Sequence, residues 1–213
     1  MNTINLSDVE RTVDTMADVA LANEKYFCEL DAAAGDADFG VSLASGFKVI
    51  KEQWNDFDRS SIGSFLMKIS MVITSHVGGC SGPIWGTAFM KAGILSKDKQ
   101  ELTLPELVKI FRSAIEGMMA RGGAKPGDKT LLDALVPATD VLEQHVNDGK
   151  TDIGAAFQDA TQVATEAIEK TRDWTAQRGR QSFTGDRSKG TLAPGIVAVA
   201  TMMQEVEKSF AKA

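Results

Sequence analysis

A helical period runs along almost the whole chain, interrupted by connections of two alternating kinds, and this pattern most constrains the fold. Apolar residues recur at three- and four-residue spacing in eight stretches. Ser7 with Glu10 predicts a capping box, with Leu6 as the outside member of a staple. The first helix then carries Val9, Val13, Met16, Val19 and Ala20 to about Leu30. A second runs from about Val41 to Trp54 on Leu43, Phe47 and Ile50, and Ser60 or Ser61 caps a third through Phe65, Ile69 and Val72. The fourth starts near Ser81, with Pro83 early enough in the first turn for its missing amide hydrogen to do little harm. Thr103 and Glu106 form a second capping box ahead of a fifth helix, which stops at Gly122-Gly123. Asp128 is expected to cap a sixth from Lys129 to about Val146, bent by Pro137. Asp152 opens a seventh that reaches Trp174, and the eighth begins after Pro194. No strand is predicted, although the apolar run 69–73 is ambiguous.

The connections at 55–59, 97–101 and 147–151 are short and polar, whereas those at 31–40, 76–82, 122–128 and 178–195 combine glycine with Asp, Lys, Arg or Ser. In an up-and-down bundle every second connection lies at the same end. The four glycine-rich connections follow the first, third, fifth and seventh helices, so all four fall at one rim. The expectation is an all-α, eight-helix up-and-down antiparallel barrel or bundle, a single domain over 1–213.

At 213 residues the chain can bury one sizeable core, and its net charge of -6, with no basic stripe, argues against a nucleic-acid partner. Cys28 and Cys80 have no spacing suited to a disulfide framework or a zinc site. No basic segment followed by an apolar core opens the sequence, and no stretch reaches membrane-spanning length, so the expected location is the cytoplasm, away from membranes.

The rim connections carry the chemistry. DAAAGDADFG, residues 31–40, holds Asp31, Asp36 and Asp38, which cannot share a helix face but can converge on a bent loop. Three converging carboxylates call for a cation, and hard oxygen ligands suit Mg or Mn. HVGGCSGP, residues 76–83, places glycines around Ser81 immediately before a helix, a composition that lets backbone amides approach phosphate. It is not a P-loop, since no Gly-Lys-Ser/Thr follows. GGAKPGDKT, residues 122–130, offers Lys125 and Lys129 as cations. The long stretch 177–195 adds Arg178, Arg180, Arg187 and Lys189 and is long enough for a lid. Metal-binding carboxylates, phosphate-binding glycines and mobile cations at one end are what phosphoryl transfer needs.

DxxxGDxDxG at 31–40, GGxSGPxxG at 78–86, PGDKTxxDxxxP at 126–137 and GRxSxxGxRSxG at 179–190 resemble, in that order, the motifs of the nucleotide-binding L subunit of dihydroxyacetone kinases. The resemblance implies an eight-helix antiparallel barrel with ADP or ATP at one rim. By the same resemblance Asp31, Asp36 and Asp38 hold a pair of Mg ions, and Gly79, Cys80 and Ser81 lie at the phosphates. Gly122 and Leu131 line the adenine side, Arg180 serves both binding and catalysis, and Phe39, Gly40, Ser42, Pro194 and Gly195 complete the nucleotide site. It further implies a separate K-type subunit that holds the ketose and, in one branch, a phosphohistidine donor protein of the sugar phosphotransferase system. In the other branch ATP is the direct donor. The chain departs from the family pattern at Phe39 (commonly His), Ser42 (Asn) and Ala193 (Asp). Two functions are therefore expected to compete. One is Mg-dependent phosphoryl transfer to dihydroxyacetone or a related short ketose. The other is a nucleotide-bound docking or regulatory module that binds a transcription regulator or partner enzyme without transfer of its own.

Overall fold

The computed structural model describes residues 1–211. Its helices are α1 (Leu6–Ala22), α2 (Glu24–Ala32), α3 (Phe39–Glu52), α4 (Ile62–His76), α5 (Ser81–Leu95), α6 (Leu104–Gly122), α7 (Leu132–Asn147), α8 (Ile153–Lys170) and α9 (Pro194–Ala211). From α3 onward each helix packs on the next, and α9 closes the ring against α1 and α2, while α1 also packs on α3. The α1–α2 pair acts as one broken helix, so the eight-helix antiparallel framework holds.

Side-chain size sets how closely the helices approach. Along α8, Ala156, Ala160, Ala164 and Ala167 recur on one face and are all buried, which lets α7 and α9 draw in on either side. Between α4 and α5, Gly63 faces the Gly93 carbonyl and Gly86 faces Thr74, and Ser70 Oγ donates to the Gly86 carbonyl at 2.7 Å. The interior is filled by larger side chains, including Phe27, Phe47, Phe65, Ile69, Ile73 and Ile196, all fully buried. Each such side chain contributes about 1.5–3 kcal/mol of transfer free energy.

The two rims differ as the parity of the connections requires. At the plain rim Thr3–Asn5 (β1) pairs antiparallel with Glu101–Thr103 (β2), the Ile62 amide donates to the Lys99 carbonyl, and the Ile153 amide donates to the Met1 carbonyl. The opposite rim collects the four glycine-rich connections. Among the described residues no helix is long and apolar enough to cross a membrane.

Several local expectations are corrected. The first capping box is made by Asn5 and Asp8, with Leu6 inside the helix. Asp8 occupies the third helical position, where its carboxylate reaches the Asn5 amide at 3.0 Å. The helix expected to continue to Leu30 breaks at Asn23, whose side chain bonds back to the Val19 carbonyl and competes with the helical ladder. The ambiguous run 69–73 is helical, and the strands that do form are the three-residue β1 and β2. The sixth helix of the expected set starts at Leu132 rather than Lys129, and the seventh ends at Lys170 before Trp174.

The box at the start of α6 forms as expected. Glu106 accepts from the Thr103 amide and hydroxyl, both at 2.8 Å, and from Lys99 Nζ at 2.6 Å. The Lys99 bond, then those from Thr103, lower its pKa to about 2. A depressed carboxylate stabilises the fold fully above its unfolded pKa, and the contribution fades as pH falls from about 4.5 towards about 2. Glu106→Gln should therefore lose about 0.5–2 kcal/mol at pH 7 in urea unfolding, and the gap from wild type should close near pH 2. A gap that persists unchanged at low pH would assign the loss to packing instead.

Candidate functional site

The rim is built first on Asp31, buried near the C-terminal end of α2. Its Oδ2 accepts from the backbone amides of Asp38 and Phe39 at 3.1 and 3.3 Å. Asp38 is the N-cap of α3 but makes no side-chain cap bond, so Asp31 supplies the cap from a distance and places a negative charge at the positive end of that helix. Gly35 packs directly over the Asp31 carboxylate, where a Cβ would collide with Oδ1. Ala37, between the other two aspartates, adopts a left-handed φ of 63°, a strained backbone for a residue with a Cβ.

As a result, one carboxylate oxygen from each of Asp31, Asp36 and Asp38 lies within 4.8 Å of the others. At that separation two unit charges repel by about 1 kcal/mol in water and by about 3 kcal/mol at an effective permittivity near 20. Burial, opposed by the two amide bonds and reinforced by the neighbouring carboxylates, pushes the Asp31 carboxyl up. Burial and then the Asp36 charge push Asp38 up, and Arg180 opposes them. The donor set is all hard oxygen, its charge is under-compensated, and Asp31 is fixed in place by backbone. These are the properties of a carboxylate site suited to Mg or Mn. Among the described residues the cation in contact is Arg180, whose Nε lies 3.0 Å from Asp36 Oδ2.

The anion side of the rim is the start of α5. Gly79 takes a left-handed φ of 60°, and Cys80 is an N-cap without a side-chain hydrogen bond. The first-turn amides next to exposed Cys80 and half-buried Ser81 therefore lack a side-chain cap and suit an anion. This connection lies on α3: Gly78 packs on Ser42, Val77 packs on Gly46, and Ser45 Oγ donates to the His76 carbonyl at 2.7 Å. Gly40, at the start of α3, packs so closely on α2 that a Cβ would meet the Glu24 carbonyl and Cys28. Across the rim Gly122 faces Ile84 of α5, and Gly195 packs against Leu131 with Pro194 buried beside it. The residues expected at the phosphates and at the base thus lie on neighbouring elements. The Phe39 ring turns inward, 6.1 Å between centroids from Phe27, so its amide is the group engaged with Asp31. Ala193 is buried as well.

Two expectations change in the 122–131 connection. Asp128 does not cap the following helix: its carboxylate accepts from the Lys125 amide at 2.9 Å. The N-cap of α7 is Leu131, which offers no side-chain cap; Asp133, in the first turn, reaches back to the Gly127 and Thr130 amides at 2.6 and 2.8 Å. The bond from the Thr130 amide is the return half of a capping box, and the spacing Thr130-x-x-Asp133 carried that signal in the sequence. Lys129, expected to offer a mobile cation, is only 3% exposed. Its ammonium donates to the carbonyls of Arg172, Trp174 and Ser188 at 2.8, 3.0 and 2.6 Å, and burial lowers its pKa. Of the other basic residues in this region, Lys189 pairs with Asp186 at 2.9 Å, and exposed Arg178 stands 3.8 Å from Asp128.

The raised carboxyls make the metal-free protein bind more protons folded than unfolded just above pH 3.8, so its stability falls as pH rises through that window. Asp38→Asn removes one repelling charge. It should raise the melting temperature of the metal-free protein at pH 7 and abolish the further rise that Mg2+ gives the wild type. A variant that keeps the Mg2+-dependent rise would exclude Asp38 as a ligand.

A family model described as the DAK2 domain matches residues 33–208. The ADP-binding subunit of the PEP-dependent dihydroxyacetone kinase of Escherichia coli is 36% identical over 187 residues, covering 88% of this chain and 89% of that protein. L-erythrulose 1-kinase of Mycolicibacterium smegmatis is 34% identical and matches 92% of this chain, which spans only 34% of that longer protein. The dihydroxyacetone kinase of C. freundii in its native form shares the fold at a TM-score of 0.74 and 22% identity, over 94% of this chain and 34% of that one. The same kinase in complex with AMP-PNP and Mg2+ gives a TM-score of 0.70 at 23% identity, over 96% of this chain and 33% of that one.

Proposed function

The chain belongs to the DAK2 domain family, and from that membership and the geometry of the rim we propose that it is the nucleotide-binding phosphotransferase subunit of a ketose kinase. It binds ADP or ATP with Mg, two ions by the family resemblance. It passes the phosphoryl group through or from that nucleotide to dihydroxyacetone or a related short ketose held on a separate substrate-binding subunit. The observation that carries this reading is the convergence of Asp31, Asp36 and Asp38 on the rim that also holds the uncapped start of α5.

Each residue has a task in this reading. Asp31, Asp36 and Asp38 would hold Mg, which when bound neutralises phosphate charge and orients the phosphate oxygens. The amides around Gly79, Cys80 and Ser81 receive phosphate oxygens, with Ser42 beside them where Gly78 packs on it and Gly40 two residues earlier in the same helix. Gly122, Leu131, Pro194 and Gly195 line the base. Arg180 is 69% exposed in its pair with Asp36, and such pairs contribute only about 0–1 kcal/mol. A divalent ion competing for Asp36 can therefore release the guanidinium towards the phosphates, where charge redistributes during transfer.

In this reading the ketose site lies outside this unit: some relatives carry the unit as about one third of a longer kinase, and the relatives named as separate ADP-binding subunits support a partner subunit as its holder. The similarity to the PEP-dependent and PTS-dependent subunits supports a phosphohistidine protein as donor, with ATP as the alternative supported by the erythrulose kinases. In this reading the protein works in the cytoplasm. The docking-only reading drew on Phe39, Ser42 and Ala193. Phe39 packs on Phe27 and Ala193 is buried, while half-buried Ser42 packs against Gly78, so none of the three substitutions dismantles the aspartate cluster.

Arg180→Ala tests the assignment with the partner subunit present. Loss of one charge-assisted contact of about 1–3 kcal/mol corresponds to a fall of about 5- to 150-fold in transfer rate, with adenosine affinity nearly unchanged. A rate equal to wild type would remove Arg180 from the reaction.

A further inference from the structure

Residues 172–190 form a loop whose two ends are tied together. The Gly190 amide donates to the Arg172 carbonyl at 3.0 Å, and buried Ser188 Oγ accepts from the Ala176 amide at 2.9 Å and donates to the Gly185 carbonyl at 2.7 Å. Lys129 stands outside this loop yet holds both of its ends, through Arg172 and Trp174 on one side and Ser188 on the other. Three ammonium hydrogens meet three carbonyls, so every donor of this buried charge has an acceptor. Its backbone sits at a left-handed φ of 61°, an arrangement that persists only where surrounding contacts hold it. Those contacts are present: the Asp128 carbonyl accepts from the Gln177 amide at 3.0 Å, and Asp133 fixes the amides on either side of Lys129, at Gly127 and Thr130.

Beyond this tied base the loop changes character. Gly179 and Gly185 have left-handed φ values of 70° and 55° and open space where a Cβ would stand. Between them lie Arg180, paired with Asp36, and Gln181, buried and without a partner for its amide nitrogen among the described residues. The segment is thus a short tip on glycine joints, mounted on a base that the 122–131 connection fixes.

We propose that Lys129 is a positioning residue for Arg180: by clamping both ends of the 172–190 loop to the base-side connection, it sets where the guanidinium stands over the aspartate cluster. The assignment rests on the phosphoryl-transfer reading. It makes the residue that most resembles a phosphate-binding lysine a structural tether acting through another group.

The test is a double-mutant cycle of Lys129→Met and Arg180→Ala, assayed for transfer with the ketose-binding subunit at saturating Mg-nucleotide. Displacing a catalytic group by about 1 Å slows reactions by roughly 100-fold. Lys129→Met should slow the otherwise wild-type enzyme by about 10- to 100-fold, yet add less than about twofold when Arg180 is already alanine. Equal losses in both backgrounds, or none in either, would overturn the assignment, since general destabilisation does not depend on Arg180. If Lys129→Met does not fold, Ser188→Ala loosens the same base and is read in the same cycle. Amide hydrogen exchange gives a readout independent of transfer: either variant should accelerate exchange across 172–190 by at least about tenfold while the core amides of α4 and α5 keep wild-type protection. Unchanged exchange in that loop would refute the clamp. Absence of transfer in the wild-type protein would instead refute the phosphoryl-transfer reading and leave the clamp to be decided by exchange.

Discussion

Closure of the helical ring is the constraint on which everything else depends. Once α9 packs against α1 and α2, connections that alternate along the sequence separate in space, and the chemically rich ones meet at a single rim. Small side chains make the closure possible: the alanine face of α8 and the glycine contacts between α4 and α5 bring the helices close, and the phenylalanine-rich interior fills the centre. The site is therefore a consequence of topology before it is a matter of any one motif. None of the four connections holds a complete set of groups, and each becomes useful only through its neighbours at the rim.

Electrostatics at the rim is then settled by which charges are fixed and which are free. Asp31 is fixed, since α3 uses its carboxylate as a cap. Lys129 is fixed too, its ammonium occupied by three carbonyls. Arg180 is free to exchange, because its exposed pair with Asp36 is weak. A carboxylate cluster anchored on Asp31 and a movable guanidinium suit a ligand that brings both cations and phosphate oxygens. The start of α5, left without a side-chain cap, suits the anionic part of such a ligand.

Much of this was legible in the sequence. Helical periodicity, the Thr103/Glu106 box and the parity of the connections suffice for the architecture, and the four ordered motifs carried the family resemblance. What sequence could not supply was the direction of individual side chains. Phe39 and Lys129 lie inside motifs read as nucleotide-binding, yet one packs on Phe27 and the other disappears beneath a loop more than 40 residues away in the chain. A lysine among glycines has the same composition whether it faces solvent or three carbonyls. The break at Asn23 and the short β1–β2 ladder were missed for a similar reason: each depends on a few local hydrogen bonds that hydrophobic periodicity does not register.

The central claim is that the aspartate cluster binds nucleotide through a divalent cation, and calorimetric titration of the wild-type protein with ADP tests it most directly. With Mg2+ in excess, ADP should bind at a single site. With Mg2+ removed by chelation, phosphate oxygens would face three uncompensated carboxylates, and affinity should fall by at least about 100-fold, or roughly 2.7 kcal/mol. ADP binding of equal strength with and without Mg2+ would contradict the account, since the nucleotide would then be held by groups other than Asp31, Asp36 and Asp38.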